Sequence, residues 1–457
     1  NFSKDVFDYI VGSNSALKND LQQLVDVFYD AKEYGSILQM PRVDFAALKR
    51  RFDEIIDDVS LFKDEAVSKF LPMVQVAEIM ANKYAVVATN PPYLNKYDGK
   101  LKGFVDNHYK AYGGDLFSVF IYRNLLFCKE NGYSGYMTPF VWMFIKTYEK
   151  LREYIINNKS IATLTQMEYS AYEEATVPIC TFVLKNGRET CNGLYFRLSD
   201  FKGGMEVQRQ KILEALQDCE CKYLYETSDS NFSQIPGSPI AYWVGKGFFD
   251  AFTKQKISDY ADVITGMTIG DNNKYLRLWF EVWRNKIALK CNSMSQVDLQ
   301  KTVWIPYSKG GERRNWYGNY EYVVNWSKKD NFNRSKTTLQ HLYLKEALTW
   351  PFITSGDFSA RLLPQGFLWD VAGSPCFFKD REDEYYTLGF LCSKVANYIL
   401  KVINPTINVQ AVDIAHTPLI IDNKREVIDI ASESISLSCS DWDSFETSWD
   451  FKKHPLI

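Results

Sequence analysis

The chain has 457 residues, 46% of them apolar and 24% charged. This is an ordinary globular balance with room for two or three domains, and it excludes a disordered or fibrous chain. Lys and Arg number 53 against 56 Asp and Glu, a net charge of −3, so any nucleic-acid surface must be local rather than a property of the whole chain. Nine Cys occur without a CxxC, and the four His (His108, His341, His416, His454) have no ligand-like spacing. A zinc centre of the deaminase kind is therefore excluded, no metal is expected, and the thiols are expected reduced. No apolar run is long enough to span a membrane and no signal peptide opens the chain, so the cytoplasm is the expected compartment. The chain starts at Asn1 without Met and ends on Ile457, which reads as an internal piece of a longer protein.

Residues 1–83 are expected to be a helical segment. Leu21, Leu24, Val25 and Phe28 follow helical spacing, as do Phe45, Leu48, Phe52 and Ile55. A further helix is expected over residues 65–83, kinked at Pro72. Tyr84–Thr89 is an apolar, β-branched run and reads as a buried strand. At its carboxyl end stands Asn90-Pro91-Pro92-Tyr93. In open α/β sheets ligands bind at that end of the strands.

The residue types suit one chemistry. The exocyclic amine of adenine is a poor nucleophile because its lone pair is delocalised into the ring. A site that accepts both amine hydrogens makes the nitrogen more tetrahedral and more reactive. Asn90 offers a side-chain carbonyl and Pro91 a backbone carbonyl. Two successive prolines stiffen the turn and remove N–H donors. Tyr93 has a ring face on which an extruded base stacks. Positioning then does the work that a strong base would otherwise do. Read blandly, the same four residues are a rigid strand-to-loop turn.

Beyond the motif, a Lys/Gly/Asn-rich loop spans residues 95–114. A helix is expected over Asp115–Cys128, a strand over Gly135–Pro139 and a helix over Phe140–Ile156, with Lys150, Arg152 and Glu153 solvated. Strands follow at Ala162–Met167 and Pro178–Leu184. The alternation predicts a mostly parallel α/β sheet within residues 84–190. Residues 191–245 read as a connector, with Ser228–Pro239 its best linker stretch.

Residues 246–440 mix Trp, Tyr and Gly with basic side chains, eight Lys/Arg against three Asp/Glu between Lys301 and Gln340. Arg277, Arg313, Arg314, Lys328, Lys329 and Arg334 are the candidate DNA contacts there. Lys309-Gly310-Gly311-Glu312-Arg313-Arg314-Asn315-Trp316-Tyr317 combines flexible glycines, arginines and aromatics, and reads either as a stretch that meets phosphates and stacks bases or as a solvated surface loop. Residues 441–457 read as the start of a further segment.

Taken together, residues 84–185 resemble the gamma group of N6-adenine DNA methyltransferases. Asp115-Leu116-Phe117, Thr138-Pro139-Phe140-Val141-Trp142 and Leu151-Arg152-Glu153-Tyr154-Ile155 match the blocks that follow Asn-Pro-Pro-Tyr in that family. The resemblance implies a Rossmann-like sheet, here partial, with S-adenosylmethionine as methyl donor. It puts Asp115 near cofactor and base, and makes Tyr172 the second base-stacking ring opposite Tyr93, with Tyr169 as fallback. Ala261–Asn272 and Asn404–Gln410 are similar to the limits of an α+β target-recognition domain of restriction-modification proteins. The whole set most resembles the adenine methyltransferases of BREX phage-defence systems. This implies double-stranded DNA, and other proteins of such a system, as partners. Three other readings stay open: a DNA-recognition module with a relic pocket, a fused type IIG restriction-modification enzyme, and an RNA or protein-glutamine methyltransferase.

One departure from the family stands out. No Gly-rich turn follows a strand and opens a helix, and the acidic ribose-binding residue after the second strand is missing as well. The 457-residue chain alone is therefore expected to bind S-adenosylmethionine weakly or not at all. Isothermal titration tests this, and a micromolar dissociation constant would contradict it.

Overall fold

The computed structural model describes residues 3–169, 171, 177–354 and 356–457. It divides into two compact units, Asn1–Ser233 with Ile240–Trp243, and Gln234–Pro239 with Val244–Ile457.

The first unit opens with helices at Lys4–Val11, Ser15–Phe28, Phe45–Ile56 and Leu71–Ala81. Asn14 and Asp44 cap the second and third with their side chains. Ile10, Leu21, Leu24, Leu48, Phe52, Phe70 and Val74 form their common core. Pro72 sits in the first turn of its helix, where no N–H bond is lost. A π turn at Ala66–Phe70 precedes it.

Six strands follow: β1 (Tyr84–Thr89), β2 (Cys128–Pro139), β3 (Ser160–Gln166), β4 (Ile179–Lys185), β5 (Gly193–Arg197) and β6 (Leu224–Thr227). Their order is β1-β2-β4-β3-β5-β6. The sheet is mixed rather than mostly parallel. β1–β2 and β3–β5 are parallel pairs, while β2–β4, β3–β4 and β5–β6 are antiparallel. β4 is inserted between β2 and β3, so β1, β2, β3 and β5 still point one way. The carboxyl ends of β1 and β2 therefore meet at one edge of the sheet.

β1 is not buried as its composition suggests. It lies at the end of the strand order, with β2 its one neighbour among the described residues. Val86 is 66% exposed and Tyr84 37%. The residues expected to form a connector instead complete the sheet through β5, β6 and the Gly204–Gln217 helix. Asp229, inside the expected linker, is buried and accepts from the Ile161 N–H (2.9 Å) and the Tyr195 hydroxyl (2.8 Å).

The expected helix over 140–156 is two 3₁₀ turns, Phe140–Met143 and Lys146–Tyr148, and then a helix at Glu149–Asn158. Arg152, expected in solvent, is 1% exposed. Its Nη1 donates to the carbonyls of Trp142 and Ile145, both at 2.8 Å. The buried guanidinium thus satisfies carbonyls freed where the chain is not α-helical, and burial draws its pKa down to about 10.

The second unit is built on two four-stranded sheets. One has β8 (Leu276–Leu278), β9 (Trp304–Ser308), β10 (Tyr322–Asn325) and β13 (Leu368–Trp369). The other has β7 (Ala261–Val263), β11 (Ala347–Thr349), β12 (Arg361–Leu363) and β14 (Pro375–Phe378). The glycine loop between β9 and β10 is locked rather than flexible. Lys309 Nζ lies 2.9 Å from buried Asp370, and Arg361 donates to the Gly310 carbonyl. Gly310 has φ +78, and a Cβ there would meet the Ala372 oxygen at 2.1 Å. The Lys424–Trp442 helix runs across the expected boundary at 440. Beyond it, the carbonyls of Thr447 and Trp449 accept from Trp279 Nε1 and Arg284 Nη1.

Glu384, in the Arg381–Leu391 helix, is buried, and one carboxylate oxygen has no partner among the described residues. Burial raises its pKa to about 8, Glu346 adds to the rise and Arg381 opposes it. The folded state thus holds a proton that the unfolded chain releases near the ordinary value of 4.5. The Glu384 contribution to stability is therefore fully present below that value and is lost as pH rises toward 8. Urea unfolding should show a midpoint that drops between pH 5 and pH 8, and Glu384→Gln should flatten the drop.

Candidate active site

Because β1 runs parallel to β2, with Thr89 opposite Tyr136, the tetrapeptide leaves the sheet beside the end of β2. Asn90 is exposed, Pro91 is buried, and Tyr93 is 37% exposed. The Tyr93 hydroxyl is shared between Asn90 Oδ1 at 3.1 Å and the Met137 carbonyl at 3.2 Å. The motif's two polar side chains therefore touch each other and the neighbouring strand. Asn90 Oδ1 has two lone pairs, so one acceptor direction remains beside the Tyr93 bond. The Tyr93 ring packs edge-on against Phe117, with centroids 6.2 Å apart and planes at 88°. Phe117 in turn lies 5.3 Å from the ring of Tyr148.

Asp115 holds this loop in place. It caps the Leu116–Phe127 helix, and its side chain also reaches across the loop. Oδ1 accepts from the Leu94 N–H at 2.8 Å and from the Phe117 N–H at 3.2 Å. The Leu94 carbonyl accepts from the Leu116 N–H at 2.9 Å. The residue after Tyr93 is thus bonded through both backbone groups to one helix start. Burial raises the Asp115 pKa, and the N–H donors of Leu94, Phe117 and Leu116 work against the rise. Phe117, Tyr148 and the Met137 carbonyl are site neighbours that sequence spacing missed. Of these only Phe117 carried a signal, as the last residue of Asp115-Leu116-Phe117.

Tyr172 lies outside the described residues. Tyr169, the fallback ring, is 60% exposed just after β3. In the second unit the candidate DNA contacts divide. Arg314 pairs with Asp441 at 2.6 Å, donates to the Tyr317 carbonyl and lies over Trp442. Arg277 donates to the carbonyls of Asn273 and Leu276. Lys329 pairs with Asp330. Arg314, Arg277 and Lys329 are thus already engaged within the fold. Arg313, Lys328 and Arg334 are exposed, with Arg313 Nε donating to the Asp357 carbonyl.

The site is thus a turn of one amide, two prolines and one aromatic ring at the parallel edge of a mixed α/β sheet. Residues 29–172 match the family of the Eco57I restriction-modification methylase. The chain is 32% identical to the adenine-specific methyltransferase BrxX of Escherichia coli O9:H4 (strain HS), over 98% of this chain and 37% of that protein. It is 34% identical to the adenine-specific methyltransferase PglX of Lacticaseibacillus casei (strain Zhang), over 84% of this chain and 33% of that protein. The resemblance read from the sequence is borne out by these relatives, of whose length the chain spans about a third. Among solved structures, the type IIL restriction-modification enzyme MmeI in complex with DNA aligns over 89% of this chain and 57% of that one, at 11% identity and a TM-score of 0.48.

The glycines and the acidic residue nearest the turn, among the described residues, are taken up in packing and backbone bonds rather than in a cradle for a methyl donor. Gly113 and Gly114 serve close packing: a Cβ would meet Val105 Cγ1 at 2.7 Å and Thr147 Cγ2 at 2.5 Å, respectively. Asp115 turns its carboxylate onto backbone N–H groups rather than outward. Asp115→Ala should cost about 1–2 kcal/mol through the lost cap and the orphaned Leu94 N–H. Asp115→Asn, which keeps an acceptor, should cost less. Urea unfolding of the three proteins would check the order.

Proposed function

We propose that this chain is the target-base pocket and DNA-recognition part of a site-specific DNA methyltransferase acting on N6 of adenine in phage defence. The observation that carries the reading is the Asn90–Tyr93 turn, clamped at the parallel edge of the sheet, in a chain similar along most of its length to adenine-specific methyltransferases. Adenine leaves the duplex and enters beside Tyr93, whose ring stacks on it. Asn90 Oδ1 and the Pro91 carbonyl accept the two amine hydrogens, drawing the nitrogen toward a tetrahedral form. S-adenosylmethionine, when bound, supplies the methyl group, and this chain's residues hold and aim the amine. Asp115 is a positioning residue, acting through Leu94. Tyr172 is the proposed second stacking ring. In the second unit Arg313, Lys328 and Arg334 are the proposed DNA contacts, because their charges are the exposed ones.

The test is expression in the full context of its gene, in a host without adenine methylases, beside an Asn90→Ala version. Genomic DNA read by single-molecule sequencing should carry N6-methyladenine at one recurring motif. Asn90→Ala should lower methylation at least about a hundredfold, by analogy with loss of one preorganised polar group in an active site. Unmodified DNA from both versions would favour a recognition protein with a relic pocket.

A further inference from the structure

A cavity of about 440 Å³ opens in the first unit beside the site, lined by Lys110, Ala111, Lys146, Thr147, Glu149 and Lys150. Its lining carries three lysines and a single acidic residue. The three lysines are exposed, and none forms an ion pair within 4 Å among the described residues. This sets them apart from Lys100 and Lys102, which lie in a Gly99–His108 helix where a loop was expected and are paired with Asp30 and Asp106. The lining holds no aromatic ring, so the cavity does not stack bases. It offers positive charge and one hydroxyl, the chemistry that meets phosphate oxygens.

Its placement is specific. Thr147 packs against Gly114, the residue before Asp115. Tyr148, next in sequence, lies against Phe117, and Phe117 against Tyr93. Two ring contacts therefore separate the lysine-lined wall from the motif tyrosine.

We infer that this cavity is a phosphodiester cradle, in which Lys110, Lys146 and Lys150 hold the nucleic-acid backbone next to the base-binding turn. The inference rests on the DNA-methyltransferase reading, deepening it by giving the first unit its own grip on the strand. A backbone contact of this kind fixes register and carries no sequence information.

The test is the salt dependence of binding of a fluorescein-labelled 20-base-pair duplex to the 457-residue chain, followed by anisotropy. Each neutralised phosphate contributes a slope of about −0.9 in log K against log salt. Replacing the three lysines together by Gln should flatten the slope by roughly 2 to 3 and weaken binding alike for unrelated sequences. The matching triple Lys→Arg variant keeps the charge and should retain the slope, which separates loss of phosphate contact from loss of fold. An unchanged slope in the Gln variant would overturn the assignment. So would displacement of the duplex by millimolar inorganic phosphate at constant ionic strength, which would mark a free-phosphate site. Because the readout is binding, it fails independently of the methylation test at Asn90.

Discussion

One buried carboxylate organises the candidate site. Asp115 caps a helix, as many Asp residues do, but the same oxygen also takes the N–H of Leu94. The loop after a strand normally has freedom to wander. Here the residue following Tyr93 is bonded through both its N–H and its carbonyl to the start of the Leu116–Phe127 helix. Two prolines stiffen the turn from within, and Asp115 fixes where it ends. A site that activates an amine by positioning needs that stiffness, since a misplacement of about 1 Å costs roughly a hundredfold in rate. The raised pKa of Asp115 is the cost of taking the carboxylate out of water, and the N–H donors partly offset it.

The motif's own geometry adds a constraint. Tyr93 does not stand free in the structure: its hydroxyl is shared between Asn90 Oδ1 and the Met137 carbonyl. That bond orients the Asn90 amide and leaves one lone pair on Oδ1 for the amine of the proposed substrate. The ring is steered by its edge contact with Phe117. Preorganisation here comes from three elements at once: the β1 turn, the end of β2 and the start of a helix.

Much of this was legible in the sequence, and the failures have physical causes. Strand and helix boundaries around the motif followed from apolar runs and turn residues: Tyr84–Thr89 is β1 residue for residue, and Asp115 is the cap of the expected helix. What pattern could not show was which neighbours each element finds. The apolar run of β1 implied burial, yet the strand has one partner and Val86 is 66% exposed. Composition records that a strand is made to be covered, not what covers it. Arg152 read as solvated because its charge and helical position say so, and only the broken helix before it gives it carbonyls to bind inside. β4 was foreseen as a strand but not as an antiparallel insertion, because alternation of strands and helices does not specify spatial order.

The same limit governs the charges, and there it changes the functional reading. A chain with net charge −3 that meets DNA as proposed must concentrate that attraction locally. Counting residues pointed to the basic stretch of the second unit, yet Lys309, Arg314 and Lys329 there are paired with Asp370, Asp441 and Asp330. A cation already paired releases fewer counterions when it meets a phosphate, so it adds less to affinity than its formal charge suggests. Lys110, Lys146 and Lys150 were inconspicuous in sequence, scattered over forty-odd residues across a loop and a helix start. Folding brings them to one cavity, with no ion pair to a carboxylate among the described residues. Electrostatic attraction is thus set by which charges the fold leaves uncommitted, and that quantity belongs to the packed molecule rather than to its composition.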